Sequence, residues 1–133
     1  MWSPFVVPDV VRIDLEHGQW IDVKRELTYG ETEDMYASMR KQFGPNEIPL
    51  LDPPRIGRAR MSAYIVAWSF ADANGKPVPV GDSAFADLRP SVAREIREAL
   101  EQHEEDIQRT QDVEKKDLDG VNVSGPTSPS VKS

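Results

Sequence analysis

Only two imidazoles are present in the 133 residues, His17 and His103. A zinc-hydrolase helix needs a second histidine one turn after the first, with a glutamate between them as general base. His103-Glu104-Glu105 has the glutamate, but Ile107 stands where the second ligand belongs. A nucleophilic serine needs a base that a third group orients, and no Ser–His–Asp set is indicated. The glutamates after Arg94 read as a solvated helix face rather than a metal site. Gly57 lacks the GxxxxGK pattern that cradles phosphates, and Gly75-Lys76 is explained as a turn. Asp14 and Asp22 offer a pair of carboxylates, but the strand register below sets Asp22 against Arg12, an ordinary surface ion pair. Three arginines, Arg55, Arg58 and Arg60, cluster at the start of a predicted helix, where cations oppose the helix dipole. Two readings stay open for them: a well-solvated surface, or a basic patch that meets the acidic residues 101–119 of this chain or of a second copy.

The elements that position these residues begin with a hairpin. Val10–Leu15 and Gln19–Lys24 flank Glu16-His17-Gly18. A three-residue loop with Gly18 in the left-handed region pairs Leu15 with Gln19, Ile13 with Ile21 and Val11 with Val23. Side chains alternate across a strand, so Val11, Ile13, Leu15, Ile21 and Val23 share one face, and Arg12, Asp14, Trp20 and Asp22 share the other. A one-residue slip would mix the faces. Thr28 with Glu31 three residues later forms a capping box, which opens a helix over about 29–42 with Met35, Met39 and Phe43 as its stripe and Tyr36 alongside. Gly44-Pro45 ends it. The proline-rich connection 44–54 follows, with Ile48, Leu50 and Leu51 expected on the core.

The uncharged run Met61–Ala71, MSAYIVAWSFA, is too short to span a bilayer, which takes about 20 residues. β-branched Ile65 and Val66 are compatible with a strand. The pattern's reach back to Ile56 favours one buried central helix over about 55–71. Asn74-Gly75-Lys76-Pro77 is a turn, and Val78–Val80 is extended before Pro79. Asp82 or Ser83 caps a short helix over 83–88. Pro90 then opens the last helix, 90–110, whose seam is Val92, Ile96, Leu100, His103 and Ile107, with Glu95, Glu98, Glu101, Glu104 and Glu105 on the wet side.

The fold class expected is a small α+β domain, mostly α: an N-terminal β-hairpin packed on a bundle of three to four helices. Residues 1–9 form an extended lead-in, 10–111 a single globular domain, and 112–133 a polar tail too poor in apolar surface to offset its ordering entropy. Net charge is −7. Residues 101–119 alone hold eight acids against three bases. That acidity argues against nonspecific nucleic-acid binding, which needs basic surface to neutralise phosphates. The chain has no cysteine, which excludes disulfides and thiolate metal sites and suits a reducing compartment. The N-terminus lacks the basic and long apolar regions of a signal peptide.

Two runs of residues carry a family resemblance. The first is Asp14-Leu15 with Gly18-Gln-Trp-Ile-Asp-Val-Lys-Arg-Glu-Leu-Thr-Tyr-Gly-Glu31. The second is Ala63-Tyr-Ile-Val-Ala-Trp-Ser-Phe70 with Asn74-Gly-Lys-Pro-Val-Pro79, followed by Leu88-Arg-Pro90 and an acidic helix. In order and spacing they resemble the tail assembly chaperones of long-tailed, siphovirus-type bacteriophages over residues 10–110. The chain departs from that pattern in its proline-bearing extension 1–9 and in Arg89, where an acidic or hydroxyl cap is expected.

The resemblance implies a non-enzymatic protein without a cofactor. Such a protein binds the tape measure protein in the host cytoplasm, assists polymerisation of the tail tube protein and is absent from the mature virion. It also implies a short form and a frameshifted long form, and the polar end here resembles that of a short form. The alternative is a structural tail or head–tail connector subunit retained in the virion. Neither reading calls for nucleic acid or membrane, and self-association is left open. Candidate partner contacts are Trp20, an anchor on the outer hairpin face unless it packs on the lead-in; Arg55, Arg58 and Arg60; Trp68, if it reaches the surface; and His103 and Ile107 at the end of the seam.

Overall fold

A computed structural model describes residues 2–40 and 53–122. Its architecture is small α+β: a three-stranded antiparallel sheet with strand order β1-β2-β3, and four helices. The strands are β1 (Val10–Asp14), β2 (Trp20–Lys24) and β3 (Ile65–Trp68); the helices are α1 (Tyr29–Ser38), α2 (Pro53–Tyr64), α3 (Asp82–Asp87) and α4 (Pro90–Asn122). The chain divides into two compact units, residues 1–101 and 102–133, with the division inside α4.

The hairpin has the expected register, with Val11 opposite Val23, Arg12 opposite Asp22 and Ile13 opposite Ile21. Leu15 N–H donates to the Gln19 carbonyl at 2.8 Å, closing the three-residue loop. Both His17 (φ 61°) and Gly18 (φ 70°) adopt left-handed backbone there. A histidine tolerates that region better than a β-branched residue does. Ile21 and Val23 are fully buried, because β2 is the central strand and one of its faces is covered.

The predicted central helix over 55–71 is corrected. α2 stops at Tyr64 and the chain continues directly into β3, which pairs with β2 through Val23–Ile65, Asp22–Ala67 and Ile21–Trp68. A β-bulge between Asp22 and Val23 leaves Val66 as the extra residue on β3. On a regular strand Ile65 and Trp68, three apart, would face opposite ways. The bulge turns both onto the buried face and leaves Val66 exposed. Met61, Tyr64, Ile65 and Trp68 are all buried at spacings of three, one and three, which is also the signature of an amphipathic helix. The bulge reproduces a helical spacing in a chain that has already left the helix.

α1 begins as predicted. Thr28 Oγ1 accepts from Glu31 N–H at 3.1 Å, and Glu31 Oε1 accepts from Thr28 N–H at 2.9 Å. Replacing Thr28 with Ala should cost about 0.5–2 kcal/mol, read as a lower urea midpoint with an unchanged slope. The helix ends at Ser38 rather than at 42, and Tyr36 is about half exposed while Met35 and Met39 are buried. Phe43, Ile48, Leu50 and Leu51, also expected on the core, lie outside the described residues.

Gly57 on α2 meets α4: a Cβ there would stand 2.6 Å from Arg97 Cδ, so its bare backbone makes room for the arginine's aliphatic stem. α3 covers 82–87 rather than 83–88, and neither Asp82 nor Ser83 caps it: Gly81 holds the N-cap position. α4 starts at Pro90, with Ala93 N–H donating to the Arg89 carbonyl at 3.0 Å. The unusual residue at 89 therefore does not shift the start. α4 continues to Asn122, well past the expected end near 110 and into the stretch 112–122 expected as a disordered tail. Residues 123–133 lie outside the described residues. In the first unit, Ile96 and Leu100 have no exposed surface, whereas His103 and Ile107, in the second, are half-buried. Glu95, assigned to the wet side, is half-buried too: its Oε2 accepts from Glu16 N–H at 2.7 Å and ties α4 to the hairpin turn.

Candidate functional site

The outer face of the hairpin carries the tightest polar cluster. Arg12 donates to both Asp22 oxygens, Nε to Oδ1 at 2.8 Å and Nη2 to Oδ2 at 3.1 Å, and its guanidinium carbon lies 3.6 Å from the Trp20 ring centroid. Cross-strand pairing brings these groups together, and a planar guanidinium can bond a carboxylate and stack on a ring at once. The hydrogen bonds from Arg12 hold the Asp22 carboxyl below its ordinary range and raise the guanidinium above its own. Trp20 is half-buried beneath Arg12 rather than standing free as an anchor.

Trp68, a second sequence candidate, turns inward. It is 9% exposed, its indole N–H donates to the Val78 carbonyl at 2.6 Å, and its ring meets Phe85 edge-on with centroids 5.6 Å apart. One rim remains accessible in a cleft of about 580 Å³ lined mainly by Trp68, Phe70, Val78, Leu88 and Val92, with Asp72, Asp87 and Arg89 at its border. The turn that shapes this cleft is held by Asp72, whose Oδ1 accepts from the N–H groups of Asn74 and Lys76 at 2.8 and 3.0 Å while Gly75 takes φ 81°.

The arginine cluster is not a separate basic field. Arg58 faces Asp82 at the start of α3, 3.3 Å away, across a second cleft of about 580 Å³ shared with Ser38, Arg55, Ala59 and Ser62. Both partners of that pair are about half or more exposed, so its contribution to stability is small. Arg60 is half-buried on the same helix. His103 and Ile107 belong to the second unit and are described only within it. Among the described residues, no group of three or more His, Cys, Asp or Glu side chains is placed to hold a metal ion. No helix there is long and apolar enough to cross a membrane.

No family model, curated protein or solved structure matches this chain. The candidate surface therefore rests on its own geometry.

Among the described residues, the most exposed large apolar side chains were not among the sequence candidates. Trp2, Phe5 and Val7 in the lead-in are 67, 79 and 73% exposed, and Tyr29 on the first turn of α1 is 80% exposed. A signal for the first three was present: Pro4 and Pro8 lie among and after them, and proline supplies no N–H to a strand ladder. The lead-in is fastened where it meets the sheet, by the Arg25–Asp9 ion pair at 2.6 Å and by Arg25 N–H donating to the Asp9 carbonyl at 2.9 Å. The hydrogen bond from Arg25, followed by one from Val10 N–H, lowers the Asp9 pKa.

Glu31 links this region to pH. Hydrogen bonding from Lys24 Nζ, then from the Thr28 backbone, lowers its pKa in the folded chain. A carboxylate whose folded pKa is depressed stabilises the fold above its unfolded pKa, about 4.3 for glutamate, and loses that contribution as pH falls through the folded value. Urea midpoints of the wild type should therefore fall more steeply below about pH 4.3 than those of Glu31→Gln. Parallel pH profiles would show that the Lys24–Glu31 contact is energetically idle.

Proposed function

We propose that this chain is a non-enzymatic tail assembly chaperone of a long-tailed bacteriophage: it binds the tape measure protein and assists tail tube subunits to polymerise along it. The observation that carries this reading is the lead-in, which belongs to this chain rather than to the family pattern and supports a binding role by its exposure. Three large apolar side chains within six residues, Trp2, Phe5 and Val7, are each at least two-thirds exposed on a chain of net charge −7. Acidity keeps such a protein soluble, while exposed aromatic and aliphatic anchors on a tethered segment suit transient cover of a partner's apolar stretches. The two resembling runs support the same reading, since they coincide with β2 to α1 and with β3 and its following turn.

Co-expression with the tape measure protein of the same tail is the test. Wild-type chain should hold that protein in solution and co-purify with it. A Trp2→Ala, Phe5→Ala variant should lose most of the captured partner at an unchanged urea midpoint. A tape measure protein that is equally insoluble with and without the chain would overturn the proposal. Capture undiminished by the double variant would move the contact surface away from the lead-in.

A further inference from the structure

β1 is an edge strand of the sheet. In the hairpin the hydrogen-bonded pairs are the odd-numbered residues of β1, as the bonds Arg25 N–H to Asp9 and Leu15 N–H to Gln19 show at the two ends of the ladder. Antiparallel pairing alternates, so the N–H and C=O groups of residues 10, 12 and 14 point away from β2. The sheet order is β1-β2-β3, and among the described residues no strand lies on the far side of β1. An edge of this kind is a template for another strand.

This edge is closed at both ends. Val10 N–H is taken by Asp9 Oδ1 at 2.8 Å, and Glu16 N–H by Glu95 Oε2 at 2.7 Å. Pro8 has no N–H to give. Two outward-facing peptide units remain between those stops, at Arg12 and Asp14.

We infer that two copies join through β1 in antiparallel fashion about a two-fold axis at Ile13, forming a continuous six-stranded sheet. Charge selects this register. With Ile13 opposite Ile13 of the second copy, Arg12 lies opposite Asp14 and Asp14 opposite Arg12, and all four side chains stand on the outer face. Centring the pair on Arg12 would set two arginines against each other, and centring it on Asp14 two aspartates. The chosen register also satisfies the backbone. Residues 12 and 14 form the two hydrogen-bonded pairs, giving four N–H to C=O bonds that use all the open donors between the stops. On the other face, Val11, Ile13 and Leu15, each half-buried in the single copy, become one apolar row with their counterparts. Arg12 keeps its bonds to Asp22, because one guanidinium has five N–H donors.

The contact is short, so the dimer is weak, with a dissociation constant between about 10 µM and 1 mM. Sedimentation equilibrium of the purified chain alone tests it, independently of any phage partner. Wild type should show reversible dimerisation in that range. Asp14→Arg, at an exposed position, should weaken it about tenfold or more while leaving the circular dichroism spectrum intact. Because the natural chain has no cysteine, Ile13→Cys supplies a symmetric crosslink at a non-hydrogen-bonded pair, where Cβ atoms approach closely. It should oxidise to a covalent dimer, and Val66→Cys on the opposite edge strand should not. A chain that stays monomeric at 1 mM would overturn the inference, as would a dimer that Asp14→Arg does not weaken. Should Ile13→Cys fail to fold, the sedimentation comparison decides alone.

Discussion

Trp68→Ala is expected to destabilise the chain by about 3–5 kcal/mol, the range for removing a large buried aromatic. Three separate losses combine there. The indole fills the space between Phe70 and Phe85, with centroid separations of 4.9 and 5.6 Å. It covers Ile21, its opposite number across the sheet, which has no exposed surface. Its N–H satisfies the Val78 carbonyl at 2.6 Å and so fastens the returning segment 78–80 to β3. Trp68→Phe separates these effects: it keeps a ring in the cluster and removes the donor, costing about 1–3 kcal/mol for a carbonyl left without its partner. Equilibrium urea unfolding of both variants gives the two numbers. A Trp68→Ala chain as stable as wild type, failing only in partner capture, would mean that the indole serves the partner and not the core.

Leu100→Ala is the second large effect, about 2–5 kcal/mol, and its contrast with Ile107→Ala carries the information. Both residues lie on the apolar seam of α4, seven positions apart. Leu100 has no exposed surface and belongs to the unit 1–101, whereas Ile107 is half-buried in the unit that follows. If the seam is core up to Leu100 only, Ile107→Ala should cost about 1 kcal/mol or less. Equal losses at the two positions would place the end of the folded core further along α4 than its burial indicates.

The division of α4 also shows how far sequence reasoning reaches. Local, short-range rules held for the hairpin and for the starts of α1 and α4, and failed at the cap of α3 and the end of α1. The hairpin register followed from alternation and one loop length, the capping box from Thr28 and Glu31, and the start of α4 from Pro90. Long-range pairing did not follow. β3 was hidden because its bulge gives Ile65 and Trp68 a helical spacing, and nothing local announces that a strand 40 residues downstream will pair with β2. The end of α4 was misplaced for the opposite reason. Apolar periodicity fades after Ile107, yet the turns around the expected end carry side-chain bonds spaced three and four apart, Gln102 to Asp106, Arg109 to Asp106 and Gln108 to Asp112, and the helix runs on to Asn122.

The candidate site was legible in part. Arg12, Trp20 and Asp22 could be placed on one face from register alone, and the structure layers them there. Trp68 was ambiguous until β3 appeared, and it then became core. The lead-in was read as a mere extension, because its prolines forbid regular structure without saying where its aromatic side chains go. Among the described residues of the first unit, those side chains are the most exposed large apolar groups apart from Tyr29, and they carry the functional reading.

The most direct test of that reading is quantitative mass spectrometry of purified virions beside the infected-cell lysate that produced them. The chaperone account predicts abundant chain in the lysate, associated with the tape measure protein before tails mature, and none in the finished particle. Recovery of the chain from purified virions at a copy number comparable to the tube subunit would contradict it and make the protein a structural component of the tail.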